Sequence, residues 1–229
     1  QADPFLSVLP GDLQTVFIEP LAGELETLGV DIQYHHEVKQ INVGDGAVDS
    51  VTLQDNSTRS ADVYAVCTPF EVTRAWLNDS FYAADPDLGN MHFLESYPMA
   101  AFHVRLRRPI PDLPREHIFF HASRYALSLI EVGRLWSGGA GASELSFISS
   151  NFMPLREVSA GRAAELLLAE IDEYLPLSRK YIESWVLNPN TDLPLFINPI
   201  GAWPSRPKPS TGLKNLYLAG DYVKNSVDL

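Results

Sequence analysis

Residues 215–222 read Asn215-Leu216-Tyr217-Leu218-Ala219-Gly220-Asp221-Tyr222. No other stretch of the chain constrains its fold as strongly. The apolar run makes a short buried strand. The glycine behind it permits close backbone approach, and Asp221 puts a carboxylate at the strand's carboxyl end. Open α/β sheets bind ligands beyond those carboxyl ends. A carboxylate placed there can accept hydrogen bonds from sugar-like hydroxyls. Taken alone, the same residues also make an ordinary strand and turn.

The rest of the chain supplies the layers such a strand needs. Leu13, Phe17, Leu21, Leu25 and Leu28 recur every three to four residues and predict a helix over 11–30. Pro20 either kinks it or opens its regular part, and Gly29 is a C-cap signal. Strands follow over 32–43 and 48–53, with Gly44-Asp45-Gly46 as a turn between them, and over 61–66 into Thr68-Pro69. Helix and strands are expected to form one unit over 11–69. Residues 71–77 read as a short helix. Strand candidates then occupy 97–106, 117–121, 126–135, 145–151 and 181–187, with Gly138–Gly141 as a loose turn. Ala163, Leu166, Leu167, Ile171 and Leu175 give the clearest helical stripe, with Ser159 as its N-cap. This middle block predicts a mainly antiparallel sheet with helices on one side. Six prolines fall between 189 and 209, interleaved with Leu195, Phe196, Ile197, Ile200 and Trp203, which predicts an ordered, packed, extended segment. The fold class is α+β.

Composition excludes several functions. Lys plus Arg number 17 and Asp plus Glu 29, for a net charge of −12, a field that opposes phosphate backbones and therefore nucleic acid. A single cysteine, Cys67, rules out an intrachain disulfide framework and a cysteine-built zinc site. No run reaches the roughly 18 apolar residues of a membrane span. The first residues, Gln1-Ala2-Asp3-Pro4, carry no initiator Met, basic region or apolar core of a signal peptide. The chain therefore reads as a piece of a longer protein, not secreted by its sequence; the compartment stays open, a cytoplasmic or plastid-like one being compatible with these residues.

The usual chemical constellations are missing. Gly44-x-Gly46 lies between two strands, whereas a phosphate loop needs backbone N–H groups at a helix start. His35 and His36 are strand neighbours that would point to opposite faces, a poor metal pair. His103 and Arg105 share a strand face and, with Arg107, Arg108 and Arg115, read as a solvated rim more readily than as an anion site. Nucleophile-elbow spacing is absent.

Four pieces in order resemble a known family. They are Leu21-x-x-x-Leu25-x-x-Leu28-Gly29-Val30 leading to Glu37-Val38-Lys39-Gln40-Ile41, then Ala61-Asp62-x-x-Ala65-Val66-Cys67-Thr68-Pro69, then Arg206-Pro207, then Asn215 to Tyr222. The sequence resembles the C-terminal part of the FAD-dependent amine oxidase and carotenoid desaturase superfamily. Asp221 follows the glycine where amine oxidases usually carry Glu, which favours the desaturase-like branch. The resemblance implies part of a glutathione-reductase-like FAD-binding domain at 1–69, a substrate-binding domain at 70–209 and a return segment at 210–229. It implies that the N-terminal glycine-rich βαβ unit is missing, as is the helix after Asp221, so that these residues alone would be inactive and hold FAD weakly. It places the Val38 strand beside the FAD adenine, Thr68 and Pro69 at the crossover between domains, and Gly220 and Asp221 against pyrophosphate and ribitol. Trp203 is expected to face flavin or substrate, and no catalytic base is assigned. Hydride would pass from an apolar, isoprenoid-type substrate to the flavin. Phe102, Phe119, Tyr125, Leu127, Phe147, Phe196 and Trp203 suit such a substrate, though most are equally good core residues, and peripheral membrane contact would suit it too. A flavin amine oxidase and a non-catalytic interaction domain built on the same fold are the alternatives.

Overall fold

The computed structural model describes residues 9–114, 117–136, 143–175, 177, 179–197 and 199–226. The expected turn at Gly138–Gly141 lies outside them, as does Arg115. A π-helical turn, Gln14–Ile18, runs into helix α1 (Glu19–Thr27). Strands β1 (Val38–Gly44), β2 (Ala47–Leu53), β3 (Thr58–Arg59) and β4 (Tyr64–Val66) come next. Helices α2 (Phe70–Trp76) and α3 (Asp79–Ala84) and a 3₁₀ stretch, Pro86–Phe93, lead to strand β5 (Ser96–Leu106). Strands β6 (Ile118–Phe119) and β7 (Leu127–Glu131), the one-turn helix α4 (Val132–Leu135) and strand β8 (Ser143–Ser149) precede helix α5 (Ala160–Tyr174). Strands β9 (Ile182–Phe196) and β10 (Leu216–Leu218) close the chain. The α+β class read from the sequence is the class observed.

Two compact units result, one of residues 33–96 with 195–229, the other of residues 1–32 with 97–194. In the first, β1 and β2 form an antiparallel hairpin whose turn takes Asp45 and Gly46 at positive φ, 48° and 72°. Left-handed residues at both central positions match the twist of a tight hairpin. The first unit's core joins Ile41 and Val48 of the hairpin to Val66, Phe70, Phe81, Met91, Leu216, Leu218 and Tyr222.

In the second unit a five-stranded sheet has the order β6-β7-β8-β5-β9, with β5, β7 and β8 antiparallel neighbours. Alternate residues of β5, namely Ala100, Phe102, Val104 and Leu106, face a core shared with Leu167, Leu168 and Ile171 of α5. Ser159 caps α5 by accepting a hydrogen bond from the Arg162 N–H at 3.3 Å, as its hydroxyl is suited to do. Strand β9 runs further than expected and takes in Pro189. It can, because it lies at the sheet edge, where a missing N–H breaks no ladder.

Three expectations change, the first being that residues 132–135, read as strand, form helix α4. The segment 9–32 belongs to the sheet unit rather than to β1–β4. Its helix starts at Glu19 with Pro20 in the first turn, the second of the two alternatives, and no residue of it is buried: Leu13, Phe17, Leu21 and Leu28 are 57%, 49%, 46% and 71% exposed. The apolar stripe is real, but among the described residues only its Leu25 is even partly covered. His35 sits at a turn with φ of 60°, not on a strand, and the His36 ring lies 2.7 Å from the Tyr34 carbonyl.

His117 gives the sheet unit a pH response. Both ring nitrogens are buried without a hydrogen-bond partner among the described residues, and the ring lies 4.3 Å from that of Phe119. Burial penalises the cation and lowers the pKa below the usual histidine value. The unfolded chain therefore binds the proton more readily, so stability falls as pH drops through about 6.5. His117→Phe should flatten that fall. The check is the urea midpoint at mildly acidic and neutral pH, where equal pH dependence in the two proteins would contradict the assignment.

Candidate functional site

Strands β4 and β10 lie side by side and parallel, with Tyr64, Ala65 and Val66 opposite Leu216, Tyr217 and Leu218. The Ala219 N–H continues the ladder to the Val66 carbonyl at 2.9 Å. Both chains therefore leave the sheet at the same edge, one as Cys67-Thr68-Pro69 into α2, the other as Ala219-Gly220-Asp221-Tyr222. The ladder thus brings together Thr68, Pro69, Gly220 and Asp221, four of the residues singled out in the sequence. Pro69, Gly220 and Asp221 are exposed, and Thr68 is half-buried.

Beneath that exposed edge the support is buried. The Tyr222 ring is wholly buried, and its hydroxyl lies 3.0 Å from the Thr73 hydroxyl, which lies 2.9 Å from that of Thr68. Burial raises the Tyr222 pKa, so the phenol stays neutral and can serve in this chain of hydroxyls. The hydroxyls tie both strand ends to α2. Gly220 has φ of 157°, and a Cβ built there would fall 2.8 Å from a carbon of the Tyr222 ring. The backbone at 220 thus rests on that ring and presents its other side bare.

Arg206 lies on the same turn. It follows a 3₁₀ turn, Trp203–Ser205, is 3% exposed, and donates from Nη2 to the carbonyls of Asp221 and Val223 at 2.7 and 2.8 Å and from Nε to that of Tyr222 at 3.3 Å. The guanidinium lies 5.0 Å from the centroid of Trp203 and 5.6 Å from that of Phe196, within cation–π range. Trp203, 41% exposed, is therefore linked to the Asp221 turn through Arg206. On this unit a polar cavity of about 340 Å³ is lined by Asp85, Asp87, Arg206, Lys208, Thr211 and Lys224, among others.

Val38 stands apart from the convergence. It pairs with Leu53 in the hairpin sheet. Asn215 connects that sheet to the site: its amide donates to the Val48 carbonyl at 2.9 Å and accepts from the Val48 N–H at 2.8 Å. Asn215→Ala should cost about 2 kcal/mol, since the buried backbone groups of Val48 would lose their partners. Chemical denaturation checks this, and an unchanged midpoint would contradict it.

Arg206, Thr73, Tyr222 and Asn215 were not picked out as site residues from the sequence. Arg206 carried a signal all the same, since Arg206-Pro207 is one of the four pieces of the family resemblance. Of the residues expected to line a substrate wall, Phe102, Tyr125, Leu127 and Phe147 are packed in the sheet core, 0–5% exposed, and are not free to line a cavity. Phe119 is 74% exposed. Arg105 pairs with Glu144 at 3.7 Å and Glu183 at 3.3 Å. No cluster of three metal-ligating side chains occurs among the described residues, nor does a helix long and apolar enough to cross a membrane.

Known proteins share this fold. The chain is 22% identical over 228 residues to the 15-cis-phytoene desaturase, chloroplastic/chromoplastic, of Arabidopsis thaliana, covering 96% of this chain and 40% of the desaturase. An oxidoreductase from Methanosarcina mazei superposes with a TM-score of 0.67 at 17% identity, over 92% of this chain and 49% of that one. Reduced UDP-galactopyranose mutase superposes with a TM-score of 0.67 at 13% identity, over 90% of this chain and 45% of the mutase. The chain thus spans less than half the length of each of these relatives. Residues 14–228 match the family described as flavin containing amine oxidoreductase, and the chain belongs to that family.

Proposed function

We propose that the gene product is an FAD-dependent oxidoreductase of the desaturase-like branch, which removes hydride from an apolar, isoprenoid-type substrate. One observation carries the flavin reading. Two parallel strands end together, and at that edge a glycine presents bare backbone next to an exposed carboxylate. The surface suits a polyhydroxylated, phosphate-linked cofactor. Gly220 lies exposed at that edge, and Asp221 accepts hydrogen bonds from ribityl hydroxyls. Thr68 and Pro69 would border the same ligand, Val38 would meet the adenine through its backbone, and Trp203 would face flavin or substrate. When bound, FAD supplies the hydride acceptor. This chain's residues hold and orient it.

The substrate wall is assigned to the sheet face opposite α5. There β5, β8 and β7 place Ala101 beside Ile148, and His103 beside Ser146 and Ile130. The weak likeness to a phytoene desaturase and the Asp at 221 favour this branch over an amine oxidase.

The test is anaerobic. The FAD-loaded, full-length gene product is mixed with a phytoene-type polyene in detergent or with a simple aromatic amine, and loss of the flavin's visible absorption is followed. The polyene should reduce the flavin and the amine should not. Reduction by the amine alone would move the protein to the amine oxidase branch.

A further inference from the structure

Arg206 sits where one side chain can set the shape of the whole exposed turn. Residues 206–210 run alongside 217–224: the Lys224 N–H donates to the Pro207 carbonyl at 2.8 Å, the Leu218 N–H to that of Pro209 at 2.8 Å, and Ser210 bridges Tyr217. At the end of that pairing the guanidinium gathers three consecutive carbonyls, of Asp221, Tyr222 and Val223, within 3.3 Å. Carbonyls of successive residues alternate in direction along a strand, so these three meet only because the chain turns here, with the Val223 N–H donating to the Gly220 carbonyl at 3.2 Å. A fork with several fixed N–H directions can hold them so, whereas an ammonium offers one point of charge. The rings of Trp203 and Phe196 beside the guanidinium hold it in place.

From this geometry we infer that Arg206 is a positioning residue for the cofactor site. It draws the 221–223 carbonyls inward, so that Gly220 and the Asp221 carboxylate are held outward at the carboxyl ends of β4 and β10. The inference rests on the flavin reading for what the turn is held to meet. The clamp itself stands on these bonds alone. Asp221 reaches its ligand only through a backbone that Arg206 fixes, so loss of the fork should act on affinity without a direct contact.

The experiment compares wild type, Arg206→Lys and Arg206→Met in the full-length gene product, by amide hydrogen exchange and by FAD titration. Both variants should speed exchange at Val223 and Lys224 by at least about tenfold, because charge-assisted bonds are lost. Exchange at Ile41 and Asn42 in β1 should stay at the wild-type rate, and FAD affinity should fall about tenfold. Arg206→Lys restoring wild-type exchange and affinity would overturn the fork, leaving charge alone. Unchanged exchange at 223–224 would overturn the clamp, and faster exchange throughout β1 and β2 would make Arg206 a general fold residue. If the wild-type protein takes up no FAD, the flavin reading fails, and the exchange comparison still decides the clamp.

Discussion

Phe147→Ala is expected to destabilise the sheet unit by about 3–5 kcal/mol, the range for emptying a buried aromatic site. Phe147 is 0% exposed on β8, directly opposite Phe102 of β5 and Leu129 of β7. Its ring centroid lies 6.3 Å from that of Phe102 and 6.2 Å from that of Phe120. The loss therefore opens a cavity at the centre of three strands, with rigid neighbours that cannot collapse into it. Phe147→Leu, which keeps most of the volume, should cost under about 1.5 kcal/mol. The two compact units need not unfold together, so the measurement should follow exchange or fluorescence specific to the sheet. A loss below about 1 kcal/mol for the alanine variant would mean that the ring is not part of a close-packed core.

Gly220→Ala is expected to act on both fold and binding. The added methyl would sit 2.8 Å from a ring that is wholly buried and anchored through its hydroxyl to Thr73. The ring cannot swing into solvent, so either Tyr222 shifts and stretches the hydroxyl chain, or the turn itself moves. Overpacking of this kind costs about 1–3 kcal/mol. The turn that moves is the one that presents Asp221, so FAD affinity should fall by about tenfold or more beyond the loss of stability. Thermal unfolding and FAD titration on the same variant check this. Wild-type values in both would show that the backbone at 220 has room to spare.

These expectations draw on very different depths of the sequence. Helix α5 was legible because its stripe and its Ser159 cap are local signals. The β1–β2 hairpin was legible through its Asp-Gly turn. Helix α3 was not, although Asn78 caps it by accepting from the Ser80 N–H at 3.0 Å. Six residues are too few to show a stripe, so the cap alone carried the message. The parallel pairing of β4 with β10 joins residues some 150 positions apart, and neither strand bears a local mark of its partner. Thr68, Pro69, Gly220 and Asp221 were legible as candidates from the family resemblance. Their support by Arg206, Thr73 and Tyr222 was not, because it depends on which side chains the fold brings under the turn. The apolar residues of the sheet stayed open between two readings for a related reason: Phe102 and Phe147 are as suitable for a core as for a substrate wall, and alternation alone does not say which face α5 covers.

The central claim is that the joined ends of β4 and β10 hold FAD. Amide exchange of the full-length gene product with and without FAD tests it most directly, since a bound ligand slows exchange where it stabilises structure. Slower exchange at residues 66–73 and 218–224, with the sheet core around Phe147 unchanged, is the predicted result. FAD that fails to bind, or that binds and leaves both segments exchanging as before, would contradict the claim.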